Sequence, residues 1–395
     1  MEPGPSPPVA ATGRDAAEAA GLTYASVETP GFTRRRAGKG FFYKDAQGGR
    51  VSDGATLQRI RALAIPSAWT SVWICSDPNG HIQAIGQDAK GRRQYHYHPR
   101  FRDVRDGAKF EHTLAFAEAL PQLRSQVAED MAARGLGRQK VVATVVHLLE
   151  TTMIRVGNAA YAKQNRSYGL TTLRVRHVTV NGSDLRFAFK GKSGRVWNVS
   201  VHDRRVARIV RTCQELPGQH LFQYLDADGG RQLVTSADVN AYLKTASGAD
   251  ITAKDFRTWA GTVLAAVALS EFAAEDRSAP TKIGIARAIA HVSACLGNTP
   301  TICRKCYVHP DILQAYLDGD LPPDLAEYVG EGQDDEPRTL RPEESAVLGI
   351  LSERLSGATT ASAVGATVAP KTRTGRSQTR PATTARQAPD LRRGA

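Results

Sequence analysis

The sequence predicts an α+β protein with a small β-rich N-terminal domain and a larger, mainly α-helical domain that contains one β-hairpin. Three observations support this prediction. Apolar residues alternate around turn signals up to about residue 105. They then recur at helical spacing up to about residue 325. One alternating segment, "LRFAFKGKSGRVWNVSV", interrupts the helical part.

The chain has 395 residues, which is enough for two domains with flanking tails. The Pro- and Ala-rich start predicts a disordered tail over 1–25. We expect the β-rich domain over 26–105 and the helical domain over 106–325. An acidic linker and a basic low-complexity tail are expected over 326–395, with the linker over 326–346 and an unfolded chain from about residue 357.

In the N-terminal domain, "SVWICSDPNGHIQAIGQD" predicts a hairpin. Val72 and Ile74 alternate before the turn "DPNG", and Ile82 and Ala84 alternate after it. In the helical domain, "RQKVVATVVHLLETTMIR" predicts a helix, because its apolar residues follow a helical period. "KDFRTWAGTVLAAVAL" and "TKIGIARAIAHVSACLG" predict two further helices, the second ending at Gly297.

Lysine and arginine outnumber aspartate and glutamate by 52 to 39, a formal net charge of +13. A solvated basic surface explains part of this excess, because residues 357–395 alone hold seven basic residues and one acid. Clustered cations in the rest of the chain favour a nucleic-acid partner. No apolar run is long enough to span a membrane and no signal peptide precedes the domains, so we expect a cytoplasmic protein.

The segment "CRKCYVHP" contains a C-x-x-C motif, Cys303 and Cys306, followed directly by Tyr307. Cys295 and His309 are the residues that would complete a zinc site, but their spacing matches no common zinc module. A redox pair is expected after a strand, whereas this motif follows a helix. Two small side chains packed on a short helix are the simpler interpretation. Asn298 or Thr299 would cap that helix, with Pro300 at its first position.

Four polar residues stand in order along the helical domain. Arg155 follows an apolar helix, Lys192 lies at a hairpin tip, Arg257 lies near a helix start, and Tyr307 follows the cysteine motif. Each residue alone is more often structural than catalytic. Together with the long segments "MIRVGNAAYAKQNRSYGLTTL", "KDFRTWAGT" and "LGNTPTICRKCYVHP", they make the chain resemble the type IB DNA topoisomerases. The resemblance covers about residues 30–320 and is to the compact poxvirus-like and bacterial form, whose catalytic domain is similar to that of tyrosine recombinases.

The resemblance implies that Tyr307 is the nucleophile, that Arg155 and Arg257 bind the phosphate, and that Lys192 is a general acid. At the fifth position many relatives have histidine, and this chain has Asn298, as some bacterial members do. The chemistry suits these residue types, since guanidiniums and an amide NH₂ can donate to phosphate oxygens and an ammonium can protonate the leaving 5′ oxygen. Religation of the 3′-phosphotyrosyl intermediate needs no ATP. No cluster of acidic residues stands out for Mg²⁺ and no P-loop motif occurs, so we expect no cofactor and no metal.

The N-terminal domain contains "KGRRQYHYHPRFRDVR", in which cations alternate with aromatics, a composition suited to contacts with phosphate and sugar. In the family this domain closes against the catalytic domain as a clamp around duplex DNA. We therefore expect duplex DNA, supercoiled DNA above all, as the partner of a monomeric, nucleoid-associated protein. The expected DNA-binding residues are Lys90, Arg92, Arg93, Gln94, Tyr95 and Tyr97.

Two other functions stay open from the sequence. A tyrosine recombinase has a helical N-terminal domain and an H-x-x-R motif, whereas this chain has Lys254 in "KDFR" at the corresponding position. A non-catalytic DNA-binding protein could be organised by zinc at Cys295, Cys303, Cys306 and His309. Metal analysis of the purified protein tests this last alternative. Stoichiometric zinc would favour it, and the absence of zinc would remove it.

Overall fold

The computed structural model of the chain describes residues 13–276, 281–325, 327 and 339–365. The fold is mixed α+β, with an N-terminal antiparallel sheet followed by a mainly helical region, as predicted. The helices are α1 (Gly13–Ala19), α2 (Gly54–Ala62), α3 (Pro99–Ala132), α4 (Arg138–Thr152), α5 (Ala159–Asn165), α6 (Arg204–Glu215), α7 (Ser236–Ser247), α8 (Asp255–Asp276), α9 (Lys282–Leu296), α10 (Pro300–Cys306), α11 (Pro310–Asp318) and α12 (Pro342–Gly365). The strands are β1 (Gly31–Ala37), β2 (Gly40–Lys44), β3 (Thr70–Cys75), β4 (Ile82–Gln87), β5 (Arg93–Tyr97), β6 (Val178–Asn181), β7 (Asp184–Lys190), β8 (Val196–His202), β9 (Gln223–Leu225) and β10 (Arg231–Leu233).

The N-terminal sheet has the strand order β2-β1-β3-β4-β5, with every neighbouring pair antiparallel. The hairpin predicted around "DPNG" is confirmed, with Ile74 opposite Ala84. Ile74, Ala84 and Val72 form a small core with Ile60 of α2. Burying these side chains on one face of the sheet fixes its register, because a shift by one residue would turn them to solvent.

The prediction of a disordered tail over 1–25 is wrong from residue 13 onward. Helix α1 forms there, and Ala17 and Leu22 are buried against Phe101 of α3. An Ala-rich segment lacks large apolar residues of its own, and Phe101 supplies the surface on which it packs. The predicted domain boundary at 105/106 falls inside α3, because that helix begins at Pro99. Residues 1–12 lie outside the described part of the chain.

The helical region is built around one large core to which α3, α4, α8 and α9 all contribute. The three helices predicted for it are confirmed as α4, α8 and α9. Helix α4 is buried along most of its length, and α9 ends at Gly297, whose φ of 64° is readily available to glycine. The predicted hairpin is also confirmed: β7 and β8 pair with Phe187 opposite Val199, and a 3₁₀ turn at Lys192–Gly194 forms the tip.

The C-terminal segment differs from its prediction. The linker expected up to residue 346 ends earlier, since α12 begins at Pro342 and buries Glu344, Val347 and Leu351. Arg124 of α3 binds Glu344 at 2.8 Å and Glu150 at 2.6 Å, so an ion-pair network holds this helix start to the core. Helix α12 continues to Gly365 where an unfolded tail was expected, and residues 366–395 lie outside the described part.

Among the described residues, no helix is both long enough and apolar enough to cross a membrane.

Candidate active site

Tyr307 lies at the end of the short helix α10. Thr299 caps the start of this helix by accepting a hydrogen bond from the Ile302 N–H at 3.4 Å, and Pro300 occupies the first helical position. At the other end, the Tyr307 N–H donates to the Cys303 carbonyl at 2.9 Å. The side chain of Tyr307 is half-buried.

Helix α8 fixes the backbone on both sides of Tyr307. The Thr262 hydroxyl donates to the Tyr307 carbonyl at 3.4 Å and accepts from the His309 N–H at 3.1 Å. Gly261 allows this close approach, because a Cβ at that position would lie 2.5 Å from the Tyr307 carbonyl oxygen. The tyrosine is therefore held by a rigid helix.

Arg257, on the first turns of the same helix, is only 4% exposed. Its two Nη atoms donate to the carbonyls of Met153 and Leu296, at the ends of α4 and α9. Its Cζ lies 5.2 Å from the centroid of the Tyr307 ring. Burial, and then the positive charge of Arg155, lower the pKa of Arg257 well below its ordinary value. A buried cation beside another cation favours the binding of an anion.

Arg155 lies in an extended segment just after α4. The Leu170 N–H donates to the Arg155 carbonyl at 2.9 Å and holds this segment in place. The Arg155 Nη2 donates to the Gly297 carbonyl at 3.3 Å and to Oδ1 of Asn298. Burial lowers the pKa of Arg155, and the nearby Tyr307 hydroxyl opposes that shift. Arg155, Asn298 and Tyr307 are thus brought together from distant parts of the sequence.

Two hydrogen-bond donors in this cluster are buried without an acceptor among the described residues. They are Nδ2 of Asn298 and Nε of Arg257. A buried donor without an acceptor is costly unless a ligand supplies one. An anion with several oxygens, placed beside the Tyr307 hydroxyl, would satisfy both. Asn298 is not the helix cap, since Thr299 has that role.

Lys192 is exposed at the tip of the β7–β8 hairpin, and its Nζ makes no hydrogen bond within the described ranges. The hairpin itself is close to the cluster, because Arg195 donates to the Ala294 carbonyl of α9 at 2.7 Å. The sequence interpretation did not single out Arg195. Its place in the same basic hairpin as Lys192 was a signal, but the direction of its side chain cannot be read from sequence.

The basic stretch predicted to bind DNA is partly occupied by internal contacts. Arg92 forms an ion pair with Asp88 at 2.7 Å, and Gln94 donates to the same carboxylate at 3.0 Å. Tyr97 is half-buried and stacks on Phe101 at 5.4 Å. Four of the predicted residues are exposed, namely Lys90, Arg92, Arg93 and Tyr95. Tyr95 also stacks on Tyr97, with ring centroids 5.9 Å apart.

The cysteines do not form the zinc site that the sequence left open. Cys295 is exposed with its Sγ 3.8 Å from Nε2 of His291, while Nδ1 of His309 accepts from the Asp311 N–H. The described part of the chain brings together no group of three or more potential metal ligands. Burial raises the pKa of Cys303 to about 11, so this thiol stays protonated at neutral pH and is a poor nucleophile.

Two family models match the chain. Residues 98–319 match the one described as eukaryotic DNA topoisomerase I, catalytic core, a range that contains the whole cluster around Tyr307. Residues 40–88 match the one described as bacterial DNA topoisomerase IB, N-terminal domain.

Viral proteins are similar over most of their length. The chain is 30% identical over 314 residues to a DNA topoisomerase 1B of Acanthamoeba polyphaga mimivirus, which covers 78% of this chain and 92% of the viral protein. It is 25% identical over 276 residues to a DNA topoisomerase 1B of Vaccinia virus (strain Western Reserve), which covers 67% of this chain and 83% of the viral protein. For a DNA topoisomerase 1 of Rabbit fibroma virus the identity is 24% over 282 residues, which covers 67% of this chain and 82% of the viral protein.

Proposed function

The chain belongs to the type IB DNA topoisomerases, and from this premise we propose that Tyr307, Arg155, Arg257, Asn298 and Lys192 form its catalytic site. The protein is therefore an isomerase that acts on DNA. The cluster of the first four residues, in a domain that matches the family's catalytic core, supports this assignment. The observation that carries it is the pair of buried donors without acceptors beside the tyrosine.

In the proposed reaction, the Tyr307 oxygen attacks the phosphorus of one DNA strand. A bond forms between phosphorus and the tyrosine oxygen, and the bond from phosphorus to the 5′ oxygen breaks. The phenol proton leaves to solvent, and Lys192 supplies a proton to the departing 5′ oxygen. Religation reverses these steps, so the number of phosphodiester bonds is unchanged and no ATP is required.

Arg155, Arg257 and Asn298 would bind the non-bridging oxygens as negative charge increases on them. The free Nε of Arg257 and Nδ2 of Asn298 are fixed before the substrate arrives, so little reorganisation is needed in the transition state. Charge-assisted bonds from buried guanidiniums are stronger than bonds between neutral groups.

The N-terminal sheet is proposed to close over duplex DNA, with Lys90, Arg93 and Tyr95 facing the backbone. Arg92 and Gln94 would act less directly, because Asp88 already binds both of them. Tyr97 would contribute mainly by supporting Tyr95. A monomer that prefers supercoiled DNA and associates with the nucleoid completes the proposal.

A recombinase is disfavoured because the N-terminal domain is an antiparallel sheet that matches the bacterial topoisomerase IB domain in part. The direct test of function is relaxation of supercoiled plasmid in EDTA without ATP. We expect a ladder of topoisomers that converges on the relaxed circle. Activity that appears only with ATP or a divalent metal would contradict the proposed mechanism, and recombinant products without relaxation would favour the recombinase.

A further inference from the structure

We propose that Arg195 is a positioning residue, which fixes the hairpin tip to the end of α9 and thereby sets where Lys192 meets the leaving 5′ oxygen. The inference rests on the proposed role of Lys192 as general acid. It assigns a function to a side chain that lies outside the five proposed catalytic residues.

The first observation is the hydrogen bond between hairpin and helix. Nη2 of Arg195 donates to the Ala294 carbonyl at 2.7 Å. Ala294 lies in the last turn of α9, where its carbonyl also accepts a long bond of 3.3 Å from the capping Gly297 N–H and where helix carbonyls carry partial negative charge. A guanidinium is well suited to that end of a helix, so the contact is favourable even though the side chain is exposed.

The second observation is the packing of Trp197, two residues further along the hairpin. Its ring is buried and lies between two glycines. A Cβ at Gly297 would be 2.8 Å from the ring, and a Cβ at Gly191 would be 2.7 Å from it. Trp197, at the base of the hairpin tip, therefore packs against Gly297, the residue that precedes Asn298.

The third observation is that the tip is a closed loop. The Gly191 N–H donates to the Arg195 carbonyl at 2.7 Å, and the Gly194 N–H donates to the Gly191 carbonyl at 3.1 Å. Lys192 thus lies between two residues that are held in place. Gly191 packs against the Trp197 ring, and Arg195 is hydrogen-bonded to the Ala294 carbonyl. The loop is held at both ends, while the Lys192 side chain stays exposed and able to reach a substrate.

Arg195 also lies near the phosphate-binding side chains, since its positive charge adds to the effect of burial in lowering the pKa of Arg155. Its guanidinium does not release a proton near neutral pH, so it cannot replace Lys192 as the acid. Its effect on catalysis must therefore pass through the position of the loop, unless it binds phosphate directly. The two possibilities differ in their dependence on the leaving group.

The experiment compares single-turnover cleavage of two duplexes, one with a normal 5′ oxygen and one with sulfur at the bridging position. A thiolate is a good leaving group without protonation, because its conjugate acid has a pKa of about 8.5. Arg195→Ala should slow cleavage of the oxygen duplex by about 10- to 100-fold, the scale of a slightly misplaced catalytic group. On the sulfur duplex it should be within a few-fold of the unmodified protein.

Lys192→Ala should slow cleavage of the oxygen duplex more than Arg195→Ala does. The sulfur duplex should again restore most of the rate. Arg195→Lys should keep part of the rate, since an ammonium can also donate to the Ala294 carbonyl. Arg186→Ala is the matched control, because Arg186 lies on the same hairpin but binds Asn198 instead of α9. Arg186→Ala should cleave both duplexes at the rate of the unmodified protein.

Equal loss of rate on both duplexes for Arg195→Ala, with Lys192→Ala rescued, would overturn the inference alone and indicate a phosphate contact or a folding defect. No loss on the oxygen duplex would also overturn it. Failure of sulfur to rescue Lys192→Ala would overturn the general-acid assignment, and the inference with it.

Discussion

Arg155 donates a hydrogen bond to Oδ1 of Asn298, and this contact determines which way the Asn298 amide faces. The opposite orientation would set two donors against each other, so Nδ2 must point away from the arginine. That nitrogen is buried and has no acceptor in the described part of the chain. In the proposed site, the arginine thus leaves this nitrogen free to donate to a phosphate oxygen.

The first prediction concerns this donor. Asn298→Ala should lose about 2–4 kcal/mol of transition-state stabilisation, the scale of one lost oxyanion donor. Asn298→Asp keeps an acceptor for Arg155 but has no donor, so it should be at least as impaired. Asn298→His should keep much of the rate. Single-turnover cleavage measures all three, with Thr299→Ala as the control for the helix cap, and a fully active Asn298→Asp would refute the donor role.

The second prediction concerns the nucleophile. Tyr307→Phe keeps the ring packing but removes the attacking oxygen, so no covalent adduct can form. Cys303→Ala combined with Cys306→Ala should lose stability by leaving a cavity, yet retain the reaction. Quenching a mixture of protein and end-labelled duplex with SDS should trap label on the cysteine variant and none on Tyr307→Phe. The reverse pattern would place the chemistry in the sulfurs.

The third prediction concerns the N-terminal sheet. Arg93→Ala should lower the slope of log binding constant against log salt by about 0.9, the value for one lost phosphate contact. Arg92→Ala should lower it by less, because Asp88 already compensates that charge. Lys39→Ala, at the turn between β1 and β2, is the control on the far edge of the sheet. An unchanged slope for Arg93→Ala would remove this residue from the interface.

The fourth prediction concerns the C-terminal segment. A chain ending at residue 356 should fold and relax plasmid at low salt, because it keeps the buried start of α12. A chain ending at residue 340 lacks Glu344 and should be strongly destabilised. Glu344→Gln should cost about 3–5 kcal/mol, as expected when one partner of a buried ion pair is removed. Urea denaturation measures the free energy of unfolding of both truncated chains and of Glu344→Gln. Equal stability of the two truncated chains would contradict the proposed role of the start of α12.

The fifth prediction concerns Lys109, whose Nζ is buried above the Phe110 ring without a hydrogen-bond partner among the described residues. Burial lowers its pKa to about 8, against about 10.4 in an unfolded chain. The unfolded chain therefore binds more protons between these values, and the free energy of unfolding should rise with pH across this window. Lys109→Met should lack this rise, and parallel pH profiles for both proteins would show that Lys109 is not the cause.

The sequence predicted the hairpins and long helices because each depends on local patterns. Phe187 and Val199 alternate with polar residues, and Gly297 ends a helix. It predicted the five proposed catalytic residues as one group only through family resemblance, because no local pattern brings Arg155 next to Asn298. That relationship arises where the segment after α4 meets the end of α9, since Arg155 also donates to the Gly297 carbonyl.

Two errors have a common physical cause. Residues 13–25 looked like a tail and residues 342–346 like a linker, because each segment is short of large apolar residues. Each is ordered by a distant partner, Phe101 for the first and Arg124 for the second. Composition reports what a segment can bury by itself, and it contains no information about surfaces formed elsewhere in the chain.

The packing of α12 also has a consequence for synthesis on the ribosome. Tyr307 emerges from the ribosome before Glu344, and Glu344 accepts a hydrogen bond from Trp259, which lies on the same helix as Arg257. A nascent chain therefore exposes the proposed nucleophile before the core behind Arg257 is complete. Prematurely terminated chains that stop short of α12 should consequently carry the tyrosine without a properly supported partner, which limits their capacity to break a DNA strand.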